Sequence, residues 1–264
     1  MNIAVISPDR KQGNSTVSVL LAAALAQTQQ LTTCLTCTGH DNRSISSFLG
    51  VKPLEDKTRN VTQVIKLLEA HAISGTEIMD YCLKVPGVPN LQIMDTAADA
   101  VSAEDNARLL RFVLGNLNHD IVITDVFTEI YDDVSRSVID MADLVVVVLT
   151  QSAETHQRLQ YWESAGVMDY LDSKGVVFIF NRFDPYVEAF RDTTKRLHLR
   201  HRRCAKISYN PFIPRTGNSG KLQTLLPYIM ERDIRVVELN NDLKECLLVV
   251  LSNLGRRTVW PGSP

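Results

Sequence analysis

The chain has 264 residues, 45% apolar and 22% charged, with a formal net charge of −2. That length suits one large α/β domain better than two small ones, and the composition is ordinary for a folded soluble protein. The near-neutral balance excludes a polyelectrolyte drawn to nucleic acid by bulk charge, while leaving room for a local basic patch.

Apolar runs alternate with helix-period stretches along the whole chain. Strands are expected at 2–7, 32–38, 91–95, 120–125, 144–150, 175–181 and 204–208. Helices are expected near 14–28, 60–70, 103–117, 132–140, 153–170, 186–199 and, in pieces, 218–250. "MNIAVIS" enters its strand with no charged leader. "DIVITD", "DLVVVVLT" and "GVVFIFN" are apolar without alternation, as strands are when helices cover both faces. The pattern predicts a doubly wound, mostly parallel sheet with helices on both faces, as a single domain over 1–255 with a short flexible tail at 256–264. The segment 71–90 is the least regular and reads as an inserted loop or a short hairpin. Ligands of such sheets sit at the carboxyl ends of the strands. The informative residues are therefore those after each run: 7–16, 38–44, 125–133, 150–155, 181–185 and 209–220.

Five cysteines stand at 34, 37, 82, 204 and 246. An odd, scattered set argues for a reducing compartment, and the expected location is the cytoplasm. "CLTC" at 34–37 is not read as a metal or redox motif, because residues three apart on a strand face opposite sides. No second CxxC or Cys/His pair is seen to complete a zinc site. The longest apolar run, 144–149, is too short to span a bilayer.

The stretch "VISPDRKQGNSTVSVLLAAALA" is a strand, a tight loop and a helix. Gly13 precedes the helix, and Ser15 and Thr16 lie in its first turn. A helix start of this kind offers N–H groups to an anion, and a hydroxyl there can ligate magnesium. Gly13 also fits a plain strand-to-helix turn with Asn14 or Ser15 as cap.

This stretch resembles the deviant Walker A loop of ParA/MinD-type P-loop ATPases, Lys-Gly-Gly-x-Gly-Lys-Ser/Thr-Thr, without a gap. Gly13 falls on the last loop glycine, Ser15 on the magnesium hydroxyl and Thr16 on the threonine after it. Asp9 stands where the signature lysine belongs, Arg10 and Lys11 stand on the two glycines, and Asn14 replaces the phosphate-binding lysine. "HDIVITD" with the later "ADL" resembles the Walker B region and places Asp125 on its acid. "FIFNRFD" places Asn181 on the residue that reads the adenine edge. "NPFIPRT" at 210–216 resembles the Ile-Pro turn beside the base, and "NLQIMDTAAD" matches a short strand of the family. "SISSFLG" at 44–50 resembles the segment after a DxD motif, whose acids fall on Thr38 and His40. The resemblance covers roughly 2–235.

The resemblance implies ATP with magnesium as cofactor, with Lys11, Gly13, Asn14, Ser15, Thr16 and Asn181 at the nucleotide and Ser15 and Asp125 at the metal. It also implies a homodimer with a protein partner. Degraded relatives of the TadZ/CpaE type share the loss of loop residues. Phosphoryl transfer is mostly positioning and charge neutralisation, so a site without either lysine or the first DxD acid is expected to hydrolyse ATP weakly or not at all. Lys11 or Arg10 could fold back over a phosphate as a substitute. Asp9 adds repulsion.

The segment 191–206, "RDTTKRLHLRHRRCAK", is the most basic. It reads as a solvated face or as a non-specific DNA contact through Arg196, Arg200, Arg202 and Arg203, which the resemblance also implies. The stripe Leu239, Leu243, Leu247, Val250 and Leu254 reads as a core or dimer helix. The polar face is acidic, unlike a membrane-binding helix. Three functions stay open: a positioning or scaffold protein of a partition, conjugation, secretion or pilus machine; an active ATPase; and a DNA-binding partition protein.

Overall fold

A computed structural model describes residues 1–38, 43–51, 64, 66–68, 70–94, 103–126, 130–225, 227 and 233–256. His40, most of the helix expected at 60–70, the end of the strand expected at 91–95 and the tail from 257 lie outside these.

Among the described residues, eight strands form one sheet: β1 (Asn2–Ile6), β2 (Thr33–Cys37), β3 (Leu83–Lys84), β4 (Leu91–Ile93), β5 (Ile121–Asp125), β6 (Leu144–Leu149), β7 (Val176–Phe183) and β8 (Arg203–Ser208). Their order is β3-β4-β2-β5-β1-β6-β7-β8. Every pairing is parallel except β3 with β4. The irregular segment 71–90 is thus resolved: Leu83–Lys84 and Leu91–Ile93 form a short antiparallel hairpin after a 3₁₀ turn at Gly75–Tyr81.

Successive strand residues enter opposite cores, which is why these strands show no polar alternation. Ile3 and Val5 pack with helix α1 (Asn14–Thr28) on one face. Ala4 and Ile6 pack on the other with residues of α3 (Ala103–Asn116), α4 (Asp133–Met141) and α5 (Ala153–Ser164). Helix α2 (Arg43–Phe48) lies on the α1 face through Ile45. Cys34 and Cys37 separate in the same way, one into each core. From Val17 onward almost all of α1 is buried, as expected of a helix apolar all round.

The helix expected over 153–170 is two. It breaks at Gly166, whose φ of 72° starts α6 (Val167–Asp172), because a left-handed residue cannot continue an α-helix. The helix expected over 186–199 shortens to α7 (Phe190–Arg196). "NPFIPRT" leads into α8 (Phe212–Asn218), with Asn210 Oδ1 accepting from the Phe212 N–H. The stripe of 236–257 is buried on α9 (Val237–Asn253), which packs on the α1 face of the sheet. Its use is core packing. No described helix is long and apolar enough to cross a membrane.

Candidate functional site

Strand β1 lies between β5 and β6, so the chain leaves it toward one edge and later returns toward the other. A crevice opens outside the carboxyl ends at such a switch point. Here it is a cleft of about 650 Å³. It is lined by loop residues 7–11 and 13–16, by Asp125 and Val126, and by Arg158, Tyr161 and Trp162 of α5.

The loop is built by its backbone. Gly13 has φ 95° and ψ 31° and caps α1, and no side chain bonds to that helix start. A Cβ on Gly13 would lie 2.0 Å from Asn181 Nδ2, so glycine is required for space as well as for φ. Asn181 is buried at the end of β7 and donates Nδ2–H to the Gln12 carbonyl at 2.9 Å. Arg182, at φ 53° beside a bulge in β7, donates to the Lys11 carbonyl at 2.7 Å. Lys11 itself has φ 62°. Left-handed non-glycine residues cost on the order of 1–3 kcal/mol each and persist where surrounding bonds fix them. Gln12 is buried, and its Oε1 accepts from the Thr150 hydroxyl at 2.6 Å and from Thr155 at 3.3 Å. The loop is therefore held by both β6 and β7.

Ser15 Oγ donates to Asp125 Oδ2 at 2.6 Å. Asp125 is 2% exposed, and burial pushes its carboxyl up to about 6 against the opposing effect of the Ser15 bond. Its Oδ1 is buried with no hydrogen-bond partner among the described residues, and so is Asn14 Oδ1. Asn14 Nδ2 turns away to the Val126 carbonyl at 3.4 Å. Unsatisfied buried oxygens are rare. The Ser15 hydroxyl, the Asp125 carboxylate with its orphan Oδ1, and the Asn14 amide oxygen are hard oxygen donors of the kind that suits magnesium.

Lys11 and Arg10 line the cleft, as does Asp9, whose Oδ1 accepts from the Arg10 N–H at 2.7 Å. Thr16 lines it with Ser15. Thr38, on the first DxD position, is buried and its N–H donates to the Asp125 carbonyl at 3.0 Å. It brings no carboxylate there. Asn181 lies behind the loop, with its Nδ2 bonded to loop backbone. Sequence reasoning missed Arg158, Tyr161, Trp162 and Tyr131 as cleft residues, and Gln12 and Arg182 as loop clamps. Tyr131 and Tyr161 meet edge to face at 6.5 Å, a contact that no local sequence pattern signals.

The basic segment lies elsewhere. Arg196 pairs with Glu188 at 2.9 Å, and Arg202 pairs with Asp172. Lys206 pairs with the buried Asp242 at 2.8 Å. Arg191, Lys195, Arg200 and Arg203 are exposed and form no ion pair among the described residues.

A scan against protein-family models and a search of the curated proteins find no match. Solved structures do match over nearly the whole chain. A ParA family ATPase from Chlorobium tepidum is similar with TM-score 0.69 at 14% identity, covering 94% of this chain and 98% of its own. A complex of Cyanothece McdA with ATP gives 0.68 at 16%, covering 98% and 97%. The septum site-determining protein MinD with Mg-ADP, from Pyrococcus horikoshii, gives 0.66 at 14%, covering 94% and 95%. The chain has the ParA/MinD-type P-loop fold, as its motifs lead one to expect.

Proposed function

We propose that this chain is a ParA/MinD-like nucleotide-binding protein with weak or absent hydrolysis, acting as a positioning or scaffold component of a larger partition, conjugation, secretion or pilus machine. One observation carries the proposal. Ser15 Oγ lies 2.6 Å from Asp125, the pair that would form the metal-binding half of a P-loop site, while Asp9 and Asn14 stand where the resemblance puts the two lysines.

Each residue then has a defined part. The uncapped start of α1 offers its N–H groups to phosphate. Ser15 and Asp125 would hold magnesium, which neutralises phosphate charge when bound. Asn14 supplies a carbonyl oxygen where a cation would serve catalysis, so it cannot draw charge from a leaving phosphate. Thr38 offers no carboxylate to orient an attacking water. The site can hold a nucleotide without stabilising the transition state. Bound nucleotide would then act as a structural signal to a partner protein or a second copy.

Calorimetric titration with magnesium-ATP tests this. Micromolar binding, lost in Ser15→Ala, with no phosphate release over hours, is the expected result. Silence up to millimolar ATP overturns nucleotide binding and leaves a scaffold. Turnover that disappears in Lys11→Ala or Arg158→Ala shows an active ATPase instead. That second reading is favoured only by the presence of Arg10, Lys11 and Arg158 on the cleft.

A further inference from the structure

Toward the amino ends of β2 and β5, three side chains from separate segments meet in the core. Cys34 lies near the start of β2, Cys82 ends the 3₁₀ turn before β3, and His119 precedes β5. Their ligand atoms all lie within 4.8 Å of one another. All three are buried, at 0%, 5% and 7% exposure. In a tetrahedral zinc site with bonds of about 2.0–2.3 Å, ligand atoms are roughly 3.5–3.8 Å apart. Closing the cluster onto an ion therefore needs movements of about 1 Å or less.

The histidine is already oriented. Its Nε2 lies 2.6 Å from Gln92 Oε1. A carbonyl oxygen only accepts, so Nε2 carries the proton, and the Nδ1 of the neutral ring presents a lone pair. That Nδ1 is buried with no hydrogen-bond partner among the described residues. Gln92 stands beside Cys34 in the register of β2 and β4, so both face the same side of the sheet. An outer carbonyl fixing the tautomer of an inner histidine is the usual support of a metal ligand.

We propose that Cys34, Cys82 and His119 form a Cys₂His site for a zinc-class divalent cation, with His119 binding through Nδ1 and Gln92 orienting it. Two thiolates balance a divalent charge, so the loaded site is neutral and suits burial. Loading releases the two thiol protons to solvent. The three protein ligands leave one tetrahedral position for a water. The site joins β2, the turn before β3 and the approach to β5. β3 has only two residues and β4 three, so this sheet edge has few ladder bonds of its own and gains a cross-link. The CxxC spacing plays no part, since Cys37 faces the other core. The partners of Cys34 come from distant segments, which no local sequence spacing signals.

The full chain, purified under reducing conditions, is assayed for metal by mass spectrometry and then loaded with zinc or cobalt(II). One ion per chain is expected, with thiolate-to-cobalt charge transfer and the visible bands of tetrahedral cobalt. Cys37→Ser leaves these signals intact, while Cys82→Ser abolishes the two-thiolate spectrum. Gln92→Ala weakens zinc by roughly ten- to a hundredfold. Buried variants can misfold, so alkylation of the wild type gives a separate test. Zinc should protect Cys34 and Cys82, and leave the half-buried Cys204 unprotected. Absence of bound zinc and cobalt, or a Cys34–Cys82 disulfide in the peptide map of the reduced preparation, overturns the site.

Discussion

Asp125 is the side chain through which pH acts on the cleft. Burial raises its carboxyl to about 6, against about 3.9 in an unfolded chain. The folded state therefore binds more protons than the unfolded one between about pH 4 and 6. Stability falls as pH rises through that window, by roughly 3 kcal/mol in total. A divalent cation reverses this locally, because it favours the ionised carboxylate. Magnesium should thus raise the melting temperature more at pH 8 than at pH 5. In Asp125→Asn both the pH slope and the magnesium effect should vanish. Melting curves across that range check it, and an unchanged magnesium shift in the variant would remove Asp125 from the metal site. Asp125 and Ser15 could be picked out in the sequence because the resemblance to the ParA/MinD-type motifs puts them at a strand end and a helix start, where the structure also places them. Gln12, Arg182 and Arg158 were not, because their roles depend on contacts made across β6, β7 and α5. Asn181 was legible as a strand end, but its bond to the Gln12 carbonyl depends on how closely β7 approaches the loop.

Among elements, the strands were the most legible, since burial on both faces leaves a composition that few other structures share. Helix ends were less so. Gly166 lies inside an otherwise helical pattern, and its φ of 72° ends one helix and starts the next. The C-terminal helix α9 shows what the apolar stripe leaves out. Its Asp242 is buried, accepts from Lys206 Nζ at 2.8 Å and from the Ser208 N–H at 2.6 Å, and so joins α9 to β8. Asp242→Ala would strand a buried backbone donor and take the nearest carboxylate from a largely covered ammonium, leaving it the Ser208 hydroxyl at 2.9 Å and Glu238 at 4.0 Å. Breaking such a pair costs about 3 kcal/mol, or roughly 6–12 °C in melting temperature for a chain of this size. Asp242→Asn keeps an acceptor for Ser208 and should cost clearly less. Equal losses in the two variants would mean that packing, and not the polar bonds, fixes this helix.

On the scale of the whole molecule, the later part of the basic segment lies at the end of the sheet opposite the cleft. The cleft opens at the carboxyl ends of β1, β5 and β6. Arg200, Arg202 and Arg203 lie at the amino end of β8, which runs parallel to its neighbour β7. DNA held there would not compete with nucleotide. Its strength is limited by the pairing of Arg196 with Glu188, Arg202 with Asp172 and Lys206 with Asp242. That leaves Arg191, Lys195, Arg200 and Arg203 for phosphate. Each neutralised phosphate contributes about 0.9 to the slope of log affinity against log salt, so the slope should be no steeper than about −3.6. Neutralising Arg200 and Arg203 together should flatten it by about 2. Neutralising Arg196 and Arg202, already paired within the fold, should change it little. Fluorescence anisotropy on random-sequence duplex over a salt series measures all three. A flat slope in the native chain would exclude DNA as a partner of this face. A steep slope lost with Arg196 and Arg202 would mean that their carboxylate partners release them on binding.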